Sequence, residues 1–213
     1  GGELFGARAA GIVGAGGYEY RADDAFACLG EIADRIVAVI AGGSEKVEGD
    51  RAILTPPNSL NAWEAYHRGL WHMYRFTRDE NAMARHFFER AIALDPTYSR
   101  AYSGLSFTHW QSAFQEWGHR DQDAELAFKA AGQSLFVDEY DPSAHWAMGR
   151  ALWLRDRSDE AVLSLERAVD LSPNFALGHY ALAFVHSQSG DASTAIDAAD
   201  HSRHLSPFDP LLF

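Results

Sequence analysis

Histidine can bind metals and can transfer protons near neutral pH, and this chain has ten histidines. His201 and His204 lie three residues apart, which places them on one face of a helix, while His67 and His72 lie about a turn and a half apart. A zinc site needs three or four converging ligands, and Asp200, next to the first pair, falls on another helix face. No Ser-His-Asp spacing and no pair of catalytic carboxylates stands out. We therefore predict no metal, no cofactor and no catalytic activity.

A glycine-rich stretch near the start of the chain is the one segment that could bind a nucleotide. The run from Gly14 to Gly17 opens like a dinucleotide-binding loop, but the third glycine of that motif would fall at Glu19. We interpret the run as a solvated or crossover loop. Tyr18 and Tyr20 alternate as in a short strand, which could end a preceding domain.

Composition and charge narrow the classes of partner. The formal net charge of −12 argues against nucleic acid and against anionic membranes, because both require clustered Lys and Arg. The single cysteine, Cys28, excludes an internal disulfide and a cysteine-based zinc site. No run approaches the roughly 20 apolar residues of a membrane span, and we expect a cytoplasmic protein. An apolar fraction of 47% is ample for a buried core and argues against disorder, so we predict a folded domain.

The element that must position any site is the stretch 141–174, which predicts two helices joined by a short polar turn. Large and small apolar residues recur at helical spacing in both halves: Trp146, Met148, Gly149, Leu152 and Trp153 in the first, and Ala161, Leu165, Ala168 and Val169 in the second. Gly149, Ala161 and Ala168 would let two helix backbones approach closely. One such hairpin cannot bury its apolar face alone, so it must stack on others.

The same pattern repeats along the chain. Pro207 follows Pro173 by 34 residues, and Ala195 follows Ala161 by the same distance. In this period and in its small-large-small pattern the hairpin resembles the tetratricopeptide repeat (TPR), although His145 stands where a Trp is common. The resemblance implies an all-α fold, a right-handed α-solenoid of helix hairpins.

The repeat phase divides the chain into three parts. A helix over 24–41, with an apolar stripe from Phe26 to Ile40, is expected to cap the array. The predicted units are a Gly-rich segment that could end a preceding domain (1–22), the helix with its linker (23–57), and the TPR array (58–213), with pairs at about 61–98, 99–141, 142–175 and 176–209 and a truncated fifth from 210. Two turns are predicted to be enlarged, by about three residues in the first pair and by about nine residues within 110–122. We expect the sequence to be a piece of a longer protein.

The resemblance also implies a binding groove, because the first helix of each pair lines the concave face of such a solenoid. The groove candidates are the large aromatics and the one arginine of those helices: Trp63, Tyr66, Phe107, Trp110, Trp146, Arg150, Trp153, Tyr180 and Phe184. Trp, Tyr and Arg dominate binding hot spots, so an apolar extended or helical peptide would suit them. The alternative is that the rings pack between helices or under the 110–120 loop. The Lys, Arg and Asn set with which some TPR domains grip chaperone tails is represented only by Arg150.

A narrower resemblance concerns the stretch from Ala25 to Pro57 and the NAWEAYHRG segment that follows it. This region is similar to the junction between TolB-like modules and TPR arrays in bacterial signalling proteins that carry adenylate or guanylate cyclase or winged-helix domains. The resemblance implies the regulatory part of such a protein. We predict a protein–protein interaction scaffold; the alternative is an intramolecular regulatory or oligomerisation domain that binds neighbouring domains or a second copy.

Overall fold

The computed structural model describes residues 2–5, 12–16 and 61–206. Strands β1 (Gly2–Phe5) and β2 (Ile12–Gly16) pair antiparallel, with Gly2 opposite Gly16. The interpretation of the glycine run as a loop is therefore wrong for residues 14–16. The β-branched residues Ile12 and Val13 favour a strand, and the pairing of Gly14 with Leu4 and of Gly16 with Gly2 extends that strand through the glycines. The predicted helix over 24–41, its linker and the chain from Pro207 onward lie outside the described residues.

Residues 61–206 are all α and contain eight helices. Their bounds are α1 Ala62–Met73, α2 Arg78–Leu94, α3 Ser99–Phe114, α4 Arg120–Val137, α5 Pro142–Leu154, α6 Ser158–Leu171, α7 Ala176–Ser189 and α8 Ala192–Leu205. The most extensive contacts join α1 to α2, α3 to α4, α5 to α6 and α7 to α8, which confirms the predicted hairpins. The odd-numbered helices also contact one another in sequence, α1 with α3, α3 with α5 and α5 with α7, so they form one layer.

Side-chain caps mark several of the helix starts. Asn61 accepts a hydrogen bond from the Glu64 backbone N–H at 2.8 Å, and the Glu64 carboxylate accepts one from the Asn61 N–H at 2.9 Å. This reciprocal capping box satisfies two backbone donors that would otherwise be unpaired at the start of α1. At α5 the cap is a single bond, in which Asp141 accepts from the Ser143 backbone N–H at 2.9 Å, and Pro142 in the first turn has no N–H to satisfy.

Glycines set the spacing within and between the hairpins. A Cβ on Gly149 would lie 2.5 Å from Leu165 Cγ and 2.9 Å from the Ala161 carbonyl oxygen, so α5 and α6 touch through backbone there. The fully buried ring of Phe88 fills the space at both Gly69 and Gly104, where a Cβ would come within 2.6 Å of it. The predicted small-large-small packing is confirmed for these hairpins.

The predicted enlarged turns are not where the extra residues lie. α2 begins six residues before Ala84, whereas α6 begins three residues before Ala161, so the first pair's extra residues mostly lengthen α2. In the second pair, α3 runs on to Phe114 and only residues 115–119 separate it from α4. The physical reason is packing: Phe114 stacks on Trp110 with ring centroids 4.7 Å apart, and such contacts stabilise an additional helical turn.

A buried carboxylate ties three of these helices together. Asp123 of α4 accepts a hydrogen bond from Ser112 Oγ at 2.8 Å and pairs with His109 Nδ1 at 3.0 Å, both on α3. Arg85 of α2 approaches the same carboxylate at 3.8 Å. Since each of these polar groups would be costly to bury alone, the cluster fixes the second hairpin against the first.

Candidate functional site

A cavity of about 210 Å³ lies where α3, α5 and α7 meet. Most of its lining residues come from the odd-numbered helices, and aromatic rings dominate it: Phe76, Phe107, Trp110, Gln111, Phe114, Gln115, Trp146, Arg150, Leu177 and Tyr180. We call this cavity the Arg150 pocket. Phe114 is 39% exposed, so the pocket reaches the surface of the molecule at that ring.

Trp110 stands at the centre of the rings. It lies nearly parallel to Phe107 on one side, with centroids 5.4 Å apart, and to Phe114 on the other. Phe107 in turn stacks on Trp146 at 5.1 Å. Behind the stack, Phe184 meets Trp153 edge to face at 4.8 Å. Offset and edge-to-face pairs of this kind stabilise a fixed arrangement, so the wall of the pocket is preformed.

Arg150 is the one charged residue of the pocket, and it is only 6% exposed. Its guanidinium carbon lies 3.7 Å from the centroid of Trp110, with further rings at 5.1–5.8 Å. Within residues 61–206, no Asp or Glu lies within ion-pairing distance of it. Burial lowers the pKa of Arg150 to about 10, with a smaller opposing effect from Tyr180, so the group stays positively charged at neutral pH.

Several other polar atoms of the pocket have no hydrogen-bond partner. Across the described part of the chain, eleven buried side-chain nitrogen and oxygen atoms lack one, and five of these belong to four residues of this pocket. They are Trp110 Nε1, Trp146 Nε1, Arg150 Nε and both amide atoms of Gln111. Because buried polar groups are normally paired, their concentration at one place distinguishes this pocket from the rest of the interior.

The predicted groove residues are divided between this pocket and other places. Phe107, Trp110, Trp146, Arg150 and Tyr180 line the pocket. Trp153 and Phe184 are not among the lining residues, but each contacts the rings of Trp110 and Phe114.

Trp63 and Tyr66 lie elsewhere, on α1. Trp63 is 41% exposed beside His67, with ring centroids 4.1 Å apart. Tyr66 is buried against Phe88 and Tyr98. Phe107, Trp110 and Trp146 pack on each other and also line the pocket, and binding in a groove stays a prediction.

Five pocket residues were not predicted: Phe76, Gln111, Phe114, Gln115 and Leu177. Phe114 follows Trp110 by four residues, so its place on the same face would have been evident had α3 been predicted at its full length. Phe76 follows α1 with a φ of 51°, a left-handed conformation that is unusual for a bulky residue. No sequence pattern predicts such a conformation at a phenylalanine.

The histidine pairs do not converge on a common ligand site. His72 pairs with Glu80 at 2.5 Å, and His201 lies against His179 with centroids 4.3 Å apart. In the described ranges, no group of three or more His, Cys, Asp or Glu is arranged to hold a metal ion. Nor does any helix there combine the length and the apolar character required to cross a bilayer.

Comparison with known proteins identifies the repeat. The family model for the tetratricopeptide repeat matches residues 142–175. A thermophilic TPR protein of Thermus thermophilus is 17% identical with a TM-score of 0.63, over 85% of this chain and 94% of that one. An O-GlcNAc transferase mutant from Thermobaculum terrenum is 19% identical with a TM-score of 0.50, over 68% of this chain and 27% of that one. MamA is 20% identical with a TM-score of 0.43, over 61% of this chain and 71% of that one.

No curated protein matches the sequence. At these levels of identity the solved structures are evidence of a shared fold alone, and the matched hairpin is α5–α6, on which the 34-residue phase was based. The hairpin over 142–175 therefore matches the tetratricopeptide repeat, and residues 61–206 form an α-solenoid of helix hairpins.

Proposed function

We propose that this chain is a non-catalytic protein–protein interaction scaffold that binds an apolar peptide or helix across α3, α5 and α7. The observation that carries the proposal is the Arg150 pocket, a preformed aromatic recess that reaches the surface at Phe114. Buried Trp, Tyr and Arg side chains surrounded by less critical contacts are typical of binding hot spots.

The size and chemistry of the pocket support a peptide over a cofactor or substrate. Sites for small molecules and cofactors usually have volumes of about 300–1,000 Å³, whereas this one is about 210 Å³, nearer to the size of one or two side chains. None of its lining residues is a Ser, Cys, His, Asp or Glu that could act as nucleophile or base.

The proposal also concerns the larger protein to which this scaffold would belong. On the resemblance of the Ala25–Pro57 region, the scaffold would be the regulatory part of a bacterial signalling protein in the cytoplasm, next to a cyclase or winged-helix domain. The alternative is an intramolecular or self-association role. It is favoured by large apolar residues on the surface outside the pocket, of which Phe136 is 86% exposed and Tyr140 is 67% exposed.

Two phenylalanines provide a matched test. Peptides are selected on the wild-type chain from a displayed random library, and their affinities are measured by calorimetry for Phe114→Ala and Phe136→Ala. Loss of a hot-spot ring costs more than about 1 kcal/mol, so Phe114→Ala should weaken binding about fivefold or more, while Phe136→Ala leaves it unchanged. The reverse pattern would move the binding surface to α4 and overturn the proposal.

A further inference from the structure

We infer that the Arg150 pocket takes an acidic side chain, Asp or Glu, of the partner peptide as its anchor. The inference rests on the proposed function, because it names the chemical group that the peptide places in the pocket. It goes further in requiring one charged residue among the apolar residues of that peptide.

Charge complementarity is the first support. Arg150 is 94% buried and positively charged, and within residues 61–206 it makes no ion pair and its Nε has no hydrogen-bond partner. Its contacts are with aromatic rings, chiefly Trp110 at 3.7 Å. Two half-buried arginines of this fold do meet carboxylates: Arg85 approaches Asp123, and Arg155 lies 3.3 Å from Glu125. A largely buried charge without a counter-ion is costly, and a carboxylate from a partner would supply that counter-ion.

The terminal nitrogens of Arg150 suit the same ligand. A carboxylate has two oxygens that together accept about four hydrogen bonds. Arg150 Nε, the indole N–H groups of Trp110 and Trp146, and the amide of Gln111 belong to residues that line the pocket and have no partners, but each of these atoms is itself closed to solvent. A carboxylate would therefore meet the terminal nitrogens of Arg150, which are not among the closed atoms, while the rings contact the methylene groups that carry it.

The architecture favours a side-chain carboxylate over a chain terminus. Terminal carboxylates are captured either by a nest of free backbone N–H groups or, in some TPR domains, by a set of Lys, Arg and Asn side chains that is represented here only by Arg150. Gln111 and Arg150 lie inside α3 and α5, where backbone N–H groups are already bonded within the helix, and the N–H of Gln115 at the end of α3 is bonded to the Gln111 carbonyl. The pocket also holds one cation, which suits a single negative charge better than the two charges of a phosphate.

The net charge of −12 does not oppose this assignment. Repulsion from distant surface carboxylates is screened beyond about 10 Å at ordinary salt, whereas contacts inside a buried pocket are screened far less. Since no carboxylate lines the pocket, its local charge is that of Arg150.

The test compares three blocked tripeptides added to the ¹⁵N-labelled 213-residue chain. The probes are acetyl-Leu-Glu-Leu-amide, acetyl-Leu-Gln-Leu-amide and acetyl-Leu-Gln-Leu with a free terminal carboxylate, each titrated into the millimolar range expected for short peptides. The readout is the chemical shift of the indole Nε1–H groups of Trp110 and Trp146. We expect the glutamate peptide to bind about tenfold more tightly than either glutamine peptide.

Two variants separate the pocket from the rest of the surface. Arg150→Met should remove the preference for glutamate, while Arg155→Met, which alters another arginine that lies over a ring, should preserve it. Equal binding of all three peptides at Trp110 would overturn the acidic anchor and leave the peptide groove standing. Tighter binding of the free terminus would overturn the choice of a side chain. If no probe shifts the indole signals, and if display-selected peptides bind Phe114→Ala as tightly as the wild-type chain, both proposals are overturned.

Discussion

Replacing Arg150 by methionine should make the free protein more stable, although it removes the most distinctive group of the pocket. Burial lowers the pKa of Arg150 from its usual range to about 10, which corresponds to about 3 kcal/mol of destabilisation of its charged form. Contacts of a desolvated guanidinium with aromatic rings offset about 2 kcal/mol of this. Methionine keeps the apolar stem and makes favourable sulfur–ring contacts of about 0.3–1.5 kcal/mol. The net expectation is a gain of about 1–2 kcal/mol.

Urea-induced unfolding followed by circular dichroism measures this difference, and Arg155→Met is the control. Arg155 lies 4.2 Å over the Phe128 ring and pairs with Glu125 in a partly exposed position, so its loss should lower stability by at most about 1 kcal/mol. The two variants thus move in opposite directions. A loss of more than about 1 kcal/mol for Arg150→Met would refute the reasoning, because it would mean that a carboxylate of the folded chain already neutralises Arg150.

Three further changes test the packing and the titration of the fold. Gly104→Ala places a Cβ 2.6 Å from the Phe88 ring and should lower the free energy of unfolding by about 1–3 kcal/mol. Gly132→Ala, with nothing within 4 Å of the new Cβ, should raise it by up to about 1 kcal/mol. Urea midpoints that shift in the same direction for both variants would contradict this packing. Burial, aided by the charge of Arg100, lowers the pKa of His67 to about 4, so the unfolded chain binds a proton that the fold excludes between about pH 6.5 and 4. The free energy of unfolding should therefore decrease as the pH is lowered through that window. In urea titrations at each pH, the decrease should be less steep for His67→Gln. Asp123→Ala should cost about 3 kcal/mol in thermal unfolding because it leaves buried polar groups unpaired, and a loss below about 1 kcal/mol would argue against the cluster.

The helix hairpins could be predicted because their information is local and repeated. The spacing of Ala161, Leu165 and Ala168 describes a buried helix face, and its recurrence at 34 residues transfers that description along the chain. Phe114 was missed because the segment around it combines aromatic residues with glutamines and a glycine, which favours a loop. The stacking of Phe114 on Trp110 is a tertiary contact, and it outweighs that local preference.

The character of the pocket could be predicted only in part. Aromatic residues in the odd-numbered helices indicated a place rich in rings, and Arg150 was included among them. Its burial without a carboxylate could not be inferred, because arginine is usually exposed and any partner would come from a different helix. The unpaired atoms of Gln111 are likewise a property of three helices meeting, which no single segment encodes.

A crystal structure of this chain with the tightest display-selected peptide tests the central claim most directly. The account predicts peptide electron density across α3, α5 and α7, with an Asp or Glu carboxylate within about 4 Å of the Arg150 guanidinium and an apolar neighbour against Phe114. A peptide bound instead over the exposed Phe136 on α4, with the Arg150 pocket unoccupied, would contradict it.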